Sequence, residues 1–319
     1  MEKNIELGIQ NGWVSNHKYH SGPGWSTSNI KLLAEKSPKH MIYAKENPSP
    51  PTDAMAVGTA FHTLTLEPEH FNRRFATIPD VDAKAMKDGN LEIVTDGTGK
   101  RLNRSSNIGK AWFGKQERLE KTIISPEKVD DVMLMVNAVK EHKSAGALLQ
   151  RLPGTTYERA VYYEDDQTGL LCKVRPDIIT DHPGLHIITD LKKCQDASYR
   201  GFQKAIGNYR YDLQAFKYLF GCNMATGKVK TFDEFVEMLN LPADELAELD
   251  IFAKFIFMCC EDVAPYAVQC HEADQDMLIN GSELYRWGVD RIADCTKKNK
   301  WPGYPETVNP ISLPPWMLT

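Results

Sequence analysis

The chemistry most visible in this sequence is carried by Asp177, Asp190 and Lys192. They lie in two apolar, β-branched runs, residues 173–180 and 185–191, separated by Asp181-His182-Pro183-Gly184, whose composition predicts a hairpin turn between two strands. With the turn centred between Pro183 and Gly184, Asp177 falls opposite Asp190 and Arg175 opposite Lys192. Paired residues have Cβ atoms roughly 5 Å apart and side chains alternate along a strand, so the two acids face each other and Asp190 shares a face with Lys192. Opposed like charges destabilise a sheet, and each carboxylate needs water, a cation or a proton. A divalent cation removes the conflict: carboxylate oxygens are hard ligands suited to Mg²⁺ or Mn²⁺, and Mg²⁺ keeps several waters, leaving room for a phosphate oxygen. Lys192 could then hold or polarise an attacking water, which would make the set a phosphodiester hydrolysis site. The alternative on spacing alone is a strand end at Asp177, an edge position at Asp190 and a solvated Lys192.

These residues need elements to hold them. Residues 155–164 read as a strand joined by Asp165-Asp166-Gln167-Thr168-Gly169 to the strand bearing Asp177. Pairing Tyr163 with Leu170 sets Glu158 opposite Arg175 on the face of Asp177, so Glu158 is a third acid of the site or the salt-bridge partner of Arg175. After Lys192, residues 196–198 supply caps for helical sequence through Phe220, ended by Gly221. Gln214 and Tyr218, four apart, share a face of that helix, with Tyr211 one turn earlier. An amide and a phenol there orient Lys192 or a substrate, or are simply the polar tips of an amphipathic helix. Residues 54–66 predict a helix in which small Gly58 and Ala60 allow close packing and His62 sits mid-way, either a core histidine bonded to a carbonyl or a ligand. Ser125-Pro126-Glu127 opens another helix, with Val129, Val132, Met133, Val136 and Val139 as its apolar stripe. Residues 254–260 and 266–271 predict two more strands, and 274–298 a closing helix. The order helix, three strands, helix, two strands predicts an α/β chain with a central mixed sheet flanked by helices.

Around this core, residues 1–25 predict an irregular lead-in, 26–36 a helix, and Pro48-Ser49-Pro50-Pro51 a linker. Residues 78–104 predict a long surface excursion, followed by a helix over 106–122. Lys100, Arg101 and Arg104 are candidate DNA backbone contacts or a solvated face. The Asp96–Lys100 stretch lacks the spacing of a phosphate loop, so no ATP site is expected. The tail, 301–319, has five prolines and predicts an extended strap. The division expected is 1–50 helical lead-in, 51–300 main domain and 301–319 strap.

The chain has 319 residues, 42% hydrophobic and 25% charged, with a net charge of −5. That composition fits an ordinary globular protein with a sizeable core, and any nucleic-acid contact must come from a local basic groove or a metal. Seven scattered cysteines without a C-x-x-C pair point to free, mostly buried thiols. No apolar run approaches the roughly 18 residues of a membrane span, and the N-terminus lacks a signal-peptide h-region, so a cytoplasmic protein without membrane contact is expected.

Pro176-Asp177 followed by Asp190-Leu191-Lys192 resembles the PD-(D/E)xK nuclease signature, with the second acid an aspartate. Gly58-Thr59-Ala60-Phe61-His62 with Leu66-Glu67-Pro68 upstream, and Tyr211-Asp212-Leu213-Gln214-Ala215-Phe216-Lys217-Tyr218 downstream, narrow the resemblance to the exonuclease VIII (RecE-type) family. That family lies among RecB-like nucleases with a motif histidine and a QxxxY helix, and the likeness runs from Tyr19 to Tyr304. It implies a restriction-endonuclease-like core and a Mg²⁺-dependent exodeoxyribonuclease. Asp177 and Asp190 would bind metal, His62 would be a ligand or phosphate contact, Lys192 would position water, and Gln214 and Tyr218 would support lysine and substrate. It further implies digestion of linear duplex DNA from 5′ ends, a single-strand annealing partner and a ring-shaped homotetramer. The rival expectations are a RecB-like or CRISPR-associated nuclease of other end preference, or a non-catalytic DNA-binding module on the same fold.

Overall fold

The structure is a computed structural model that describes residues 5–12, 14–48, 52–88, 90–95 and 97–313. Residues 49–51 of the expected linker and 314–319 of the expected strap lie outside these. The central sheet has five strands in the spatial order Val268–Glu272, Lys254–Glu261, Leu185–Cys194, Ile178–His182, Thr155–Tyr157. Ile178–His182 and Leu185–Cys194 form the hairpin in the predicted register, with Leu185 opposite His182 and Thr189 opposite Ile178. Lys254–Glu261 lies parallel to Leu185–Cys194. A parallel neighbour needs a crossover, and helices Tyr199–Tyr209, Tyr211–Thr226, Phe232–Leu239 and Ala243–Ala247 provide it. The sheet is therefore mixed, as predicted.

Both faces of the sheet are covered. Ile188, Phe255, Phe257 and Cys259 enter one core with helices Tyr211–Thr226 and Gln275–Lys298, while Leu191, Met258 and Cys260 enter a second with helices Asp53–Leu66 and Pro126–Glu141. Alternation along two strands thus feeds two cores, which explains why both strands read as nearly continuous apolar runs. Met133, expected in the stripe of Pro126–Glu141, is exposed; Met135 takes its place in the core. Among the described residues, no helix is long and apolar enough to cross a membrane.

Several local expectations are corrected by packing. The helical stretch after Ser198 is two helices, broken at Arg210 in the left-handed conformation (φ 49°), and the second runs past Gly221 to Thr226, capped by left-handed Gly227. Gly221 is a contact point instead of a terminator: a Cβ there would come within 2.6 Å of the Tyr163 ring. Gly58 meets nothing close, so it is not the small contact residue expected. The lead-in contributes strand Gly8–Ile9, which pairs with Val161–Glu164 at the edge of a second, three-stranded sheet. The 78–104 excursion folds onto its own small core of Val81, Leu102 and Phe113. Arg101 is engaged by Asp80 and Glu127 and Arg104 by Glu117, so neither is a free backbone contact.

Three lysines tie the lead-in down. Lys173 Nζ donates to the carbonyls of Tyr19 (2.5 Å) and Gly22 (2.7 Å), Lys217 Nζ to those of Trp25 (2.6 Å) and Lys173 (3.1 Å), and Lys45 Nζ to that of Gly24 (3.1 Å). Lys217 is fully buried, and burial lowers its pKa to about 8, below the ordinary lysine value of about 10.4. A neutral amine still satisfies both of its bonds. Because the folded state releases this proton first, the group's contribution to stability rises between about pH 8 and pH 10 and is lost as pH falls through 8. The urea midpoint of the parent is expected to climb more steeply from pH 8 to pH 10 than that of Lys217→Met; equal slopes would show that Lys217 stays charged.

Candidate active site

The site forms where a long hairpin divides between two sheets. Val161–Glu164 pairs with Leu171–Val174 in the small sheet, and Thr155–Tyr157 pairs with Ile178–His182 in the large one, both in one continuous register. That register brings Tyr163 opposite Cys172, two residues from the predicted pairing with Leu170, a slip that keeps every side chain on its predicted face. Between the halves, the single strand predicted over 155–164 breaks. Pro176 has no N–H to give a ladder, and Glu158 adopts a left-handed φ of 51°, a strain on the order of 1 kcal/mol. One bond, Glu158 N–H to the Asp177 carbonyl (3.0 Å), bridges the gap. Glu158, Arg175 and Asp177 are turned out of the ladder at this break.

His62 reaches the same point from helix Asp53–Leu66. Its Nδ1 lies 3.3 Å from Asp177 Oδ1 and 3.5 Å from Glu158 Oε1. The other Glu158 oxygen is 3.2 Å from Arg175 Nε, so Glu158 is the salt-bridge partner of Arg175 as well as a neighbour of His62. Ligand atoms of His62, Glu158 and Asp177 all lie within 4.8 Å of one another. Burial alone would lower the His62 pKa, but the Asp177 and Glu158 carboxylates outweigh it and raise it to about 10. An imidazolium thus occupies the centre of the acids. Asp177, which burial would raise, is instead held below the usual carboxylate range by His62, then Lys192 and the Leu191 N–H. Its Oδ2 accepts from that N–H at 2.7 Å, standing in for the strand carbonyl that the departing backbone no longer supplies.

Asp190 and Lys192 share a face of Leu185–Cys194, as predicted, and form a separate set with Gln214. Gln214 Nε2 donates to Asp190 Oδ1 (2.6 Å), Lys192 Nζ donates to Gln214 Oε1 (3.0 Å), and Lys192 Nζ lies 2.5 Å from Asp190 Oδ2. That last contact is an ion pair without hydrogen-bond alignment, so buried Asp190 Oδ2 has no hydrogen-bond donor. Burial, together with Asp177 and against the pull of Lys192, lifts the Asp190 carboxyl to about 6. The two acids act on each other but are pushed apart in pKa, a pattern common where groups do different work. Tyr218 shares the helix face of Gln214 and sets its ring edge on Phe255. Among the described residues its hydroxyl makes no hydrogen bond, to Lys192 or to any other group. Glu67, at the C-cap of helix Asp53–Leu66, is buried against Arg74 (2.6 Å).

The donor set fits a divalent cation. The carboxylate oxygens of Glu158 and Asp177 suit Mg²⁺ and Mn²⁺, and the imidazole nitrogen of His62, once deprotonated, suits transition ions. The sequence also missed Lys31. Its Nζ sits 5.1 Å from the Tyr211 ring centroid, and Lys192 Nζ sits 4.4 Å from the same ring. No spacing rule links a helix at residue 31 to a hairpin at 190.

Residues 26–236 match the model of a family described as a PDDEXK-like domain of unknown function (DUF3799). The chain belongs to that family. The match spans Asp177, Asp190 and Lys192, so the PD-(D/E)xK reading of these residues coincides with the family's own description. No curated protein matches the chain. Among solved structures, the PDDEXK-like fold is similar to that of a Eubacterium rectale protein described as a "putative exonuclease", with a TM-score of 0.53 over 95% of this chain and 97% of that one, at 11% identity. At that identity the likeness bears on the fold alone.

Proposed function

We propose that this PDDEXK-like protein is a divalent-metal-dependent exodeoxyribonuclease that digests linear double-stranded DNA from its ends. The observation that carries the reading is the adjacency of two sets of residues: a His62, Glu158, Asp177 cluster able to ligate a cation, and a buried Asp190, Gln214, Lys192 triangle beside it. His62, Glu158 and Asp177 would hold the ion, with Asp190 as a further carboxylate. Bound there, a divalent cation supplies Lewis-acid activation of water and neutralises phosphate charge. His62 ligates only as the neutral imidazole, so its raised pKa sets a proton cost on binding. Lys192 presents an ammonium, fixed by Asp190 and Gln214, that can orient the attacking water and stabilise charge developing on the phosphate. Gln214 contacts both and locks their rotamers, and the free hydroxyl of Tyr218 remains for substrate.

The finer parts of the proposal rest on the sequence likeness to the exonuclease VIII (RecE-type) family, above all on the 58–62 and 211–218 motifs. They are Mg²⁺ as the ion with Mn²⁺ as substitute, 5′ to 3′ digestion, a 3′ single strand passed to an annealing recombination protein, a ring-shaped homotetramer and action in the cytoplasm. The description of the Eubacterium rectale neighbour as a "putative exonuclease" agrees with this reading. The test is a gel assay on linear duplexes with one end blocked, beside closed circles, with Mg²⁺, Mn²⁺ or chelator. Loss of linear duplex from open 5′ ends, sparing of circles and silence in chelator are expected. Equal cutting of circles, or no cutting in any divalent ion, would overturn the reading.

A further inference from the structure

Lys31 lies on helix Thr27–Glu35, which the sequence treats as lead-in. The helix is locked in place: Ile30 and Leu33 are buried in the main core, and Ile30 sits so close over Gly288 of helix Gln275–Lys298 that a Cβ there would come within 2.3 Å of it. An Asn29 and Ser26 capping box fixes the start of the helix. The half-buried side chain of Lys31 is thereby held over the Tyr211 ring, which also carries the Lys192 ammonium.

Two ammonium groups on one ring repel each other, and a ring face compensates only part of a cation's lost hydration. Of the neighbouring acids, Glu158 is engaged with Arg175 and His62, Asp177 with His62, Asp190 with Lys192, and Asp212 with Arg210 and Asn280, while Glu35, one turn along the same helix, acts on Lys31 from beyond ion-pair distance. Among the described residues no carboxylate comes within 4.0 Å of Lys31 Nζ. Its charge therefore opposes both folding and the capture of a metal cation. What it favours is an anion arriving beside Lys192.

We propose that Lys31 is a phosphate-binding residue of the nuclease site, gripping the polynucleotide phosphodiester at or next to the one cleaved, so that the N-terminal helix forms part of the substrate cleft. This rests on the nuclease reading above. A phosphate contact contributes affinity that falls with salt, because binding releases counterions.

The experiment compares parent, Lys31→Met and Lys31→Arg in the full chain. It measures anisotropy of a fluorescent duplex in Ca²⁺ across 50–200 mM salt, a range over which counterion release is readily read, together with thermal melting and single-turnover cleavage in Mg²⁺. Lys31→Met is expected to weaken binding by about tenfold and to make the plot of log affinity against log salt shallower by about 0.9. Its melting temperature should be unchanged or higher, since repulsion with Lys192 is relieved, and Lys31→Arg should restore binding. Parental affinity and slope in Lys31→Met, or a melting loss without a change of slope, would overturn the inference while leaving a cutting parent a nuclease. A parent that neither binds nor cuts DNA removes the nuclease reading and this inference with it.

Discussion

Lys192→Ala is expected to lower single-turnover cleavage of a linear duplex by about 100-fold or more while DNA binding in Ca²⁺ persists, a loss corresponding to about 3 kcal/mol of transition-state stabilisation. The geometry shapes the rest of the outcome. On spacing alone the lysine reads as an exposed partner of Asp190 that contributes little to folding. In the structure the pair is largely buried and shared with Gln214, so its removal strips a buried carboxylate of its cation. Asp190 is already lifted to about 6 and can take up a proton, which limits the damage. The variant should therefore fold, with a lowered melting temperature that recovers as pH falls, beginning above about 6 because loss of the lysine raises the Asp190 carboxyl further, and complete near the ordinary carboxylate range. Lys192→Arg should keep the charge but not the rate, because a guanidinium fork is bulkier than the point-like ammonium that Asp190 and Gln214 enclose. Parental cleavage by Lys192→Ala would exclude the lysine from the chemistry and favour the binding-module reading.

Asp177→Asn is expected to abolish cleavage and to weaken Mn²⁺ binding by at least about 100-fold, beyond the range typical for an outer-shell partner. The amide oxygen can still accept from the Leu191 N–H, so the join between the sheets survives and the fold is kept. What disappears is the charge. Since Asp177 is the main group raising His62, the imidazole pKa should drop from about 10 toward its ordinary value near 6.5, a change visible by NMR titration of the metal-free protein. Calorimetry of Mn²⁺ binding checks the ligand role. Undiminished Mn²⁺ affinity in a folded Asp177→Asn would remove this carboxylate from the metal set and with it the site as described.

The sequence by itself determined the hairpin, its register and the roles that depend only on local alternation. A two-residue turn at Pro183-Gly184 sets which residues oppose each other, and period-two alternation puts Asp190 and Lys192 together, so both were legible from residue order. Helical spacing likewise put Gln214 and Tyr218 on one face. Tertiary packing decided the rest. The split of the long hairpin at Glu158 and Pro176, the break of the following helix at Arg210 and the approach of Gly221 to Tyr163 are bends that no local periodicity records. They arise because two sheets and two cores must be covered by one chain. Packing also assigned partners: the hairpin predicted Asp177 against Asp190, whereas the folded chain gives Asp177 and Glu158 to His62 and gives Asp190 to Gln214 and Lys192. Lys31 joins only because helix Thr27–Glu35 is buried against helix Gln275–Lys298, a contact between ends of the chain that only burial of apolar surface brings about.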